Sequence, residues 1–366
     1  MAITLPDLRR HAVARSLFPP ATLTAALRAL GFVQADPIRA PARAQDLTLR
    51  HRVRSYRAGD LERRYHQLPV EEDFFVNYGF VPREVQRLMH PRRPRHPWSA
   101  RERRRAAALL AFVCERGTVH PREVDAYFAH GRVTNYWGGA SSATTHLLDA
   151  MHYRGLLRVV RRERGIRLYA QQKPFARAGS AAEKRARMDA LVDLAIGKYA
   201  PLPEASARSL VSRLRYAVPQ WTGELPAAWR RAKLRLAHER IEGMSWYWPA
   251  SERPQEAGAG DHVRLLAPFD PVVWDRRRFQ LFWGWPYRFE AYTPVAKRKL
   301  GYYALPLLWR DAVIGWANVT LKEQRPVADV GYVAGAAPRE HGFRQALEAE
   351  LERLHRFLGA SAGDSA

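Results

Sequence analysis

The order of pattern changes between Ser99 and Gln172 constrains the fold of this chain more than any other feature. Ser99 is placed to cap a helix over ARERRRAAALLAFVCERG, and a second helix follows over PREVDAYFAHG. After a glycine-rich turn come a third helix, SSATTHLLDAMHYRGLL, and two β-rich runs joined by a charged turn, LRVVRRERGIRLYA. Three helices followed by a β-hairpin are typical of a winged helix, whose third helix enters the major groove of DNA.

Polar side chains at the start of that third helix are candidates for contact with DNA. They are Ser141, Ser142, Thr144 and Thr145, and the charged turn of the hairpin adds Arg161 and Arg162. The alternative is a three-helix module that meets another protein with the same surface.

The charge balance favours the nucleic-acid interpretation. The 366 residues include 60 Lys and Arg against 36 Asp and Glu, for a formal net charge of +24 and a pI near 10.8. Such an excess of one sign is typical of a protein whose partner is a polyanion.

Several function classes find no support in the sequence. The 13 histidines form no metal-binding motif, and no phosphate-binding glycine loop is present, so we expect neither a metal nor another cofactor. No apolar run is long enough to span a membrane. The single cysteine, Cys114, lies in an apolar run that predicts a buried thiol, and the absence of a possible internal disulfide is consistent with a cytoplasmic protein.

Composition shifts divide the chain into four predicted domains: 1–98, 99–178, 179–260 and 261–366. The first is helical, with Thr22 or Thr24 capping one helix and another following Pro41. The third repeats the helical pattern less clearly, with a helix over AAWRRAKLRLAHERI and a strand at Met244–Pro249. The fourth is predicted to be β-rich and to end in a helix within 338–358.

The fourth domain contains a basic, tryptophan-rich stretch, Pro268 to Pro306. Its cations are Arg276, Arg277, Arg278, Arg288, Lys297, Arg298 and Lys299, interleaved with aromatic residues. Cations beside flat rings suit a surface that neutralises phosphates and packs against sugars or bases. Taken locally, the same stretch also fits a β-layer whose rings are core and whose arginines face solvent.

Three motifs carry a resemblance that spans nearly the whole chain. They are FVQADPIRAPARAQDLTLRHRV, WGGASSATTHLLDAMHYRGLL and LLAPFDPVVWDRRRFQLFWGWPYRFEAYTPVAKRKLGYYALPLL, in this order. The chain thereby resembles the YcaQ/AlkZ-like family of winged-helix DNA glycosylases. The resemblance implies a mainly α fold with β wings (α+β): three tandem winged-helix units around a basic channel, plus a β-rich C-terminal part.

The resemblance also implies an activity and a site. The family hydrolyses the N-glycosidic bond of bulky N7-alkylated purines, including interstrand crosslinks, and its signature corresponds here to Gln34-Ala35-Asp36. This is the Gln-x-Asp version of the signature and resembles the YcaQ branch. The sequence departs from the family where a branch carries a Trp-Ala-His-Glu-Ala run: residues 74–82 read Phe-Phe-Val-Asn-Tyr-Gly-Phe-Val-Pro instead, and Asn77 is the nearby polar group.

The chemistry of the two signature side chains fits that reaction. N7 alkylation makes the purine a good leaving group, so the enzyme must stabilise a cationic sugar and deliver water to C1′. Asp36 would supply the negative charge and accept the water's proton, and Gln34 would hold the water. Pro37 disfavours a helix at Asp36, so an extended segment would place both side chains on one side. No lysine lies near the motif in the sequence, so a water-dependent, monofunctional cleavage is indicated.

His51 and Arg52, further along the first motif, either face DNA or form an ordinary basic helix surface. The competing function is a non-catalytic winged-helix transcription regulator. Such regulators usually pair one reading unit with a dimerisation element. Several units in one chain, without an evident dimerisation coil, favour a monomer that binds damaged double-stranded DNA in the cytoplasm, at the bacterial nucleoid.

Overall fold

A computed structural model describes residues 2–94, 96–134, 140–254, 260–323 and 325–359 and shows a mixture of helices and strands. The chain divides into two compact units, each built from segments that are distant in sequence. Unit 1 comprises Met1–Leu61, Val192–Val211 and Trp229–Ala366, and unit 2 comprises Glu62–Leu191 and Ser212–Ala228. The four consecutive domains and the basic channel stay predictions.

The N-terminal part begins with helices, as its capping signals indicate, but it also contains three strands that the helical prediction for 1–98 missed, two of which pair as a hairpin. Thr22 accepts a hydrogen bond from the backbone of Ala25 and begins the second helix, which Gly31 ends in the left-handed conformation at φ +62°. A Cβ at Gly31 would lie 2.7 Å from a Leu194 methyl group, so a larger residue there would both strain the left-handed backbone and displace the Leu194 side chain. The elements are α1 (Leu5–Ser16), α2 (Leu23–Leu30), β1 (Val33–Gln34), α3 (Ala44–Leu49), α4 (Asp60–Arg64), β2 (Val70–Phe74), β3 (Tyr78–Pro82) and α5 (Arg83–Met89).

Unit 2 contains the three helices and the hairpin that the sequence predicts between Ser99 and Gln172. A short strand pairs with the second hairpin strand, giving the sheet order β4-β8-β7. Cys114 is exposed on the first of these helices, so the predicted buried thiol is wrong: the apolar run turns other residues, such as Val113, inward. The elements are α6 (Ala100–Arg116), β4 (Thr118–Val119), α7 (Pro121–Phe128), β5 (Arg132–Thr134), β6 (Ala140–Ser142), α8 (Ala143–Arg154), β7 (Leu157–Glu163) and β8 (Ile166–Gln171).

The next segment repeats this order, and its last three strands pair within unit 1 as β10-β11-β9. The predicted strand at Met244–Pro249 is confirmed. The predicted helix over AAWRRAKLRLAHERI is wrong beyond Lys233, because Leu236 to Ile241 pair antiparallel with that strand and Ile241 is buried beside Trp246. The elements are α9 (Ala181–Tyr199), β9 (Leu202–Pro203), α10 (Glu204–Arg213), α11 (Leu225–Lys233), β10 (Leu236–Ile241) and β11 (Met244–Pro249).

The C-terminal part of unit 1 is a four-stranded antiparallel sheet, β12-β13-β14-β15, with helices. The arginine-rich start of the tryptophan stretch is a helix and not a strand. Asp275 caps it by accepting the N–H of Arg278 at 2.7 Å, and Phe279 and Phe282 are buried at helical spacing. The elements are β12 (Val263–Leu265), α12 (Arg276–Trp283), β13 (Leu305–Trp309), β14 (Ala312–Lys322), β15 (Arg325–Tyr332) and α13 (His341–Leu358).

Two apolar clusters hold unit 1 together. One joins α1 to α12 and the C-terminal sheet through Leu17, Phe279 and Leu308. The other packs Leu8 against Trp246. Among the helices of the described residues, none has the length and apolarity needed to cross a membrane.

Candidate active site and nucleic-acid interface

Gln34 is held in one orientation at the end of β1. Its side chain is 7% exposed, and its Oε1 accepts a hydrogen bond from Trp274 Nε1 at 3.0 Å. The Trp274 ring is itself stacked on Tyr199, with centroids 4.4 Å apart. Because an indole N–H can only donate, this contact assigns the amide oxygen of Gln34 to Trp274 and leaves the amide nitrogen as a donor toward the site.

Asp36 lies two residues further along, in non-helical backbone as the following proline predicts. Its side chain is also 7% exposed. Its backbone N–H donates to Gln45 Oε1 at 3.1 Å, and its Oδ1 accepts the N–H of Ile38 at 2.9 Å. Burial raises the pKa of this carboxyl above the ordinary aspartate value, and the Ile38 hydrogen bond opposes part of that rise. Asp36 is therefore a more basic carboxylate than a surface aspartate.

Two tyrosines of the tryptophan stretch interact electrostatically with this carboxylate. Burial and the Asp36 charge together raise the pKa of both Tyr292 and Tyr303, so both phenols are within electrostatic range of Asp36. The Phe289 ring contacts both, with centroids 5.9 Å and 5.2 Å away. Tyr292 is 69% exposed, whereas Tyr303 is buried. The first and last sequence motifs thus meet at one site.

Two residues of the first motif do not reach the surface. His51 is buried, with its Nε2 3.0 Å from the Leu265 carbonyl oxygen, and burial lowers the pKa of its imidazole well below the ordinary value. Arg52 is 0% exposed and makes a two-pronged ion pair with Asp270 at 2.7 and 2.9 Å. The prediction that His51 and Arg52 contact DNA is wrong, because both side chains are bonded inside the protein.

The three consecutive arginines of α12 differ from one another. Arg277 is exposed. Arg276 donates to the Val273 and Pro268 carbonyls, and burial lowers its pKa. Arg278 is 0% exposed and donates to backbone carbonyls that include Val272 at 3.0 Å, with its pKa lowered to about 10 by burial. The predicted DNA contacts of Arg278 and of the half-buried Arg276 are therefore wrong, because successive residues of a helix lie on different faces and these two side chains are bonded inside the protein.

The later cations of the stretch are accessible. Arg288, Lys297 and Lys299 are exposed. Arg298 is half-buried, donates to the Thr293 carbonyl at 2.8 Å and lies 5.0 Å from the centroid of the Tyr302 ring. These residues, with the exposed Tyr292, place charge and rings on the same segment, which we call the basic aromatic loop, 288–302.

The predicted groove-reading residues of unit 2 have mixed positions. Ser142 caps α8 through the N–H groups of Thr144 and Thr145, and its hydroxyl donates to Asp125 at 2.7 Å. Thr144 is 0% exposed and Thr145 half-buried, so a DNA contact by Thr144 is corrected. The side chain of Ser141 and the residues Tyr136 to Gly139 lie outside the described part of the chain.

Arg161 and Arg162, the predicted DNA-contacting arginines of the hairpin β7–β8, each form an ion pair with a glutamate. Arg162 pairs with the buried Glu72 at 2.6 Å, and this contact lowers the pKa of the Glu72 carboxyl despite its burial. Arg161 is exposed and pairs with Glu163. Arg161 is therefore the more available of the two, since Arg162 would have to leave a desolvated ion pair to bind phosphate. Asn77, at the departure from the resembling branch, is exposed at the turn between β2 and β3.

Two comparisons with known proteins each match nearly the whole chain. A sequence model described as "DNA glycosylase AlkZ-like" matches residues 27–357. The chain belongs to the AlkZ-like DNA glycosylase family. The solved structure of Streptomyces sahachiroi DNA glycosylase AlkZ is similar in fold to this AlkZ-like glycosylase, with a TM-score of 0.63 and 13% identity over 98% of each chain. The protein is thus a DNA repair glycosylase whose substrate is DNA.

The residues that support the signature of this AlkZ-like glycosylase were missed by sequence reasoning. Gln45 lies within the first motif, and Trp274 and Tyr303 lie within the last, yet nothing in the local pattern indicates that they approach Gln34 or Asp36. These residues could have been found by treating the first and last motifs as two segments that form one site. Among the described residues, no group of three or more His, Cys, Asp or Glu side chains could hold a metal ion.

One lysine of the glycosylase comes close to the first motif in space. Lys198 Nζ donates to the Leu30 carbonyl at 3.3 Å and lies 5.9 Å from the centroid of the Phe32 ring. Burial and the Arg52 charge lower its pKa to about 7, partly offset by Asp270. Its hydrogen bond to the C-terminal end of α2 gives this amine a structural role.

Proposed function

We propose that this glycosylase hydrolyses the N-glycosidic bond of bulky N7-alkylated purines in DNA, including those in interstrand crosslinks, by direct attack of water. The observation that carries the proposal is the pairing of a buried, more basic carboxylate, Asp36, with an oriented amide, Gln34. They occupy the signature positions of the resembling family. A carboxylate with a raised pKa is a stronger base, and little water is present to screen it from a cationic sugar.

The two side chains divide the work of the reaction. Departure of the alkylated base leaves positive charge on the deoxyribose, which the Asp36 carboxylate stabilises. Asp36 also takes the proton of the attacking water, while the Gln34 amide nitrogen holds the water's oxygen in line. The Schiff-base route would require a free amine at the site, and Lys198 is instead hydrogen-bonded to Leu30. These roles support a monofunctional mechanism.

We also propose that DNA is bound by winged-helix units. Residues 100–171 and 181–249 share an order of helix, short strand, two helices and hairpin, and their sheets, β4-β8-β7 and β9-β11-β10, are equivalent. Residues 23–82 follow a similar order along the chain. This repetition supports three tandem units in a monomer, the net charge of +24 supports binding to nucleoid DNA, and the single cysteine of the sequence supports a cytoplasmic location.

The test of the proposed function is base release by the wild-type protein. A duplex with one defined N7-alkylguanine, and a second duplex with an N7-linked interstrand crosslink, are incubated with excess enzyme across a range of pH. We expect free base from the first and separated strands from the second. Because Asp36 must be ionised, the rate should fall as the pH drops through its raised pKa, at a midpoint above the ordinary aspartate value of about 3.9. No release from either duplex would reject the proposal.

The basic aromatic loop should account for part of the salt dependence of DNA binding. The exposed cations Arg288, Lys297 and Lys299 can each neutralise one phosphate, and each such contact adds about −0.9 to the slope of log affinity against log salt. Replacing all three by alanine should therefore make the slope shallower by about 2 to 3. The measurement is a fluorescence-anisotropy titration of duplex DNA at several salt concentrations.

A matched variant controls for the loss of net charge. Lys322, Arg339 and Arg344 are also exposed cations of unit 1, but they lie on β14, before α13 and on α13. Their triple alanine variant should retain the wild-type slope. A wild-type slope for the loop variant would show that the loop does not contact DNA, and an equally shallow slope in both triple variants would show a general effect of net charge.

A further inference from the structure

The hydroxyl of Tyr303 is buried without a hydrogen-bond partner among the residues that the structure describes. The residue is 3% exposed. Two other buried tyrosines of unit 1 are bonded: Tyr287 donates to the Ala304 carbonyl at 2.7 Å, and Tyr56 donates to Asp46 at 2.7 Å. Leaving a buried hydroxyl unbonded is unfavourable, so an unbonded one beside a reaction site points to a ligand that arrives with the substrate.

The ring that carries this hydroxyl is fixed by its neighbours. Phe289 meets the Tyr303 ring edge-to-face, with centroids 5.2 Å apart and planes at 89°. Phe289 in turn packs against Phe269, at 5.1 Å. Tyr303 also comes two residues before β13, whose first residue, Leu305, is fully buried. The hydroxyl is therefore held in place on a rigid support, as a positioning group requires.

Tyr303 belongs to the last motif, which meets the first motif where Trp274 donates to Gln34 at 3.0 Å, and its hydroxyl remains protonated. The ionisable groups that act on it are Asp36 and the phenols of Tyr287, Tyr292 and Tyr302. Burial, with the negative charge of Asp36 next in effect, raises the pKa of Tyr303 far above the ordinary tyrosine value. At any pH where the enzyme works, Tyr303 can donate a hydrogen bond and cannot act as a base.

We infer that Tyr303 is a positioning residue of the active site, whose hydroxyl donates a hydrogen bond to the water that attacks C1′ when damaged DNA is bound. The inference rests on the proposed role of Asp36. In this step one lone pair of the water oxygen leaves its hydrogen bond with the Gln34 amide and bonds to C1′, the other keeps its hydrogen bond from Tyr303, and the water's proton passes to Asp36. The electron pair of the C1′–N9 bond goes to the base and neutralises the charge on its alkylated ring. Tyr303 keeps its own proton throughout.

The test compares Tyr303→Phe with Tyr287→Phe, which removes a buried hydroxyl that already has a partner. Tyr303→Phe should lower the single-turnover rate of N7-alkylguanine release by about 10- to 100-fold, as loss of one preorganised donor does. It should leave duplex affinity unchanged and the melting temperature equal to or above that of the wild type, because no internal hydrogen bond is lost and an unbonded buried hydroxyl is removed. The acid limb of its pH–rate profile should also move to higher pH, because the water that Tyr303 polarises donates to Asp36 and stabilises the carboxylate less strongly when Tyr303 is lost.

Tyr287→Phe should show the opposite pattern, with a lower melting temperature and a wild-type rate and acid limb. A wild-type rate and profile for Tyr303→Phe, with Asp36→Asn inactive, would overturn the inference and leave the proposed function intact. Equal loss of rate and of melting temperature in both phenylalanine variants would show a merely structural role, which also overturns it. If Asp36→Asn itself releases base at the wild-type rate, the proposed function fails first.

Discussion

Replacing Asp36 by asparagine should slow the release of N7-alkylguanine by about 10²- to 10⁴-fold, which is the usual contribution of a general base. The rate should fall further because the variant also loses the negative charge that stabilises the cationic sugar. The change keeps the shape of the side chain, and an amide oxygen can still accept the Ile38 N–H that Asp36 Oδ1 accepts at 2.9 Å. DNA affinity should stay within a few-fold of the wild type. The measurement is single-turnover excision beside a binding titration.

The same variant should melt at a higher temperature than the wild type at neutral pH. The pKa of Asp36 is raised in the folded protein, so between the unfolded and folded values the native state binds more protons than the unfolded chain. Stability from this group therefore falls as pH rises through that window, and the full cost is present at neutral pH. Asparagine removes the desolvated charge and that cost.

Gln34→Ala provides the companion measurement. It should slow the same step less than loss of the carboxylate, because it misplaces the water without removing the base. It also leaves the Trp274 indole N–H without its acceptor, so a small loss of stability is expected. An Asp36→Asn variant that cleaves at the wild-type rate would show that the catalytic assignment is wrong.

Replacing Arg52 by methionine should destabilise unit 1 by about 3–5 kcal/mol, because the buried Asp270 carboxylate loses the partner of its two-pronged ion pair. Arg52 also bonds the Ser16 and Thr48 carbonyls, at 2.7 and 2.6 Å, which are orphaned by the change. The expected result is a large shift of the urea midpoint, followed by circular dichroism. DNA binding and excision should fall only as far as the folded fraction falls.

Two further variants separate the causes of that loss. The double variant Arg52→Met with Asp270→Asn removes both charges and should recover part of the stability, whereas a loss due to packing alone would not be recovered. Arg277→Ala, at an exposed arginine of α12, should change stability by less than about 0.5 kcal/mol. If Arg52→Met is as stable as Arg277→Ala, the buried ion pair does not support the fold.

Local signals in the sequence were sufficient for most elements of secondary structure. Thr22 and Ser99 are residue types that favour the N-cap position, and both cap helices in the structure. The strand at Met244–Pro249 was evident from its aromatic residues. The helix α12 was not, because its three consecutive arginines are followed by an aromatic-rich run that also fits a strand. Its helical spacing of Phe279 and Phe282 has meaning only against the core they fill.

The sequence by itself determined the family, the signature pair Gln34 and Asp36 and the basic character of the surface. These depend on residue identity and order, which a chain carries without folding. Only the tertiary structure decided which cations are accessible and what surrounds the signature. Arg52 meets Asp270 and Gln34 meets Trp274 across separations of 218 and 240 residues. An arginine has the same letter whether it faces DNA or a buried carboxylate, and long-range packing alone distinguishes the two.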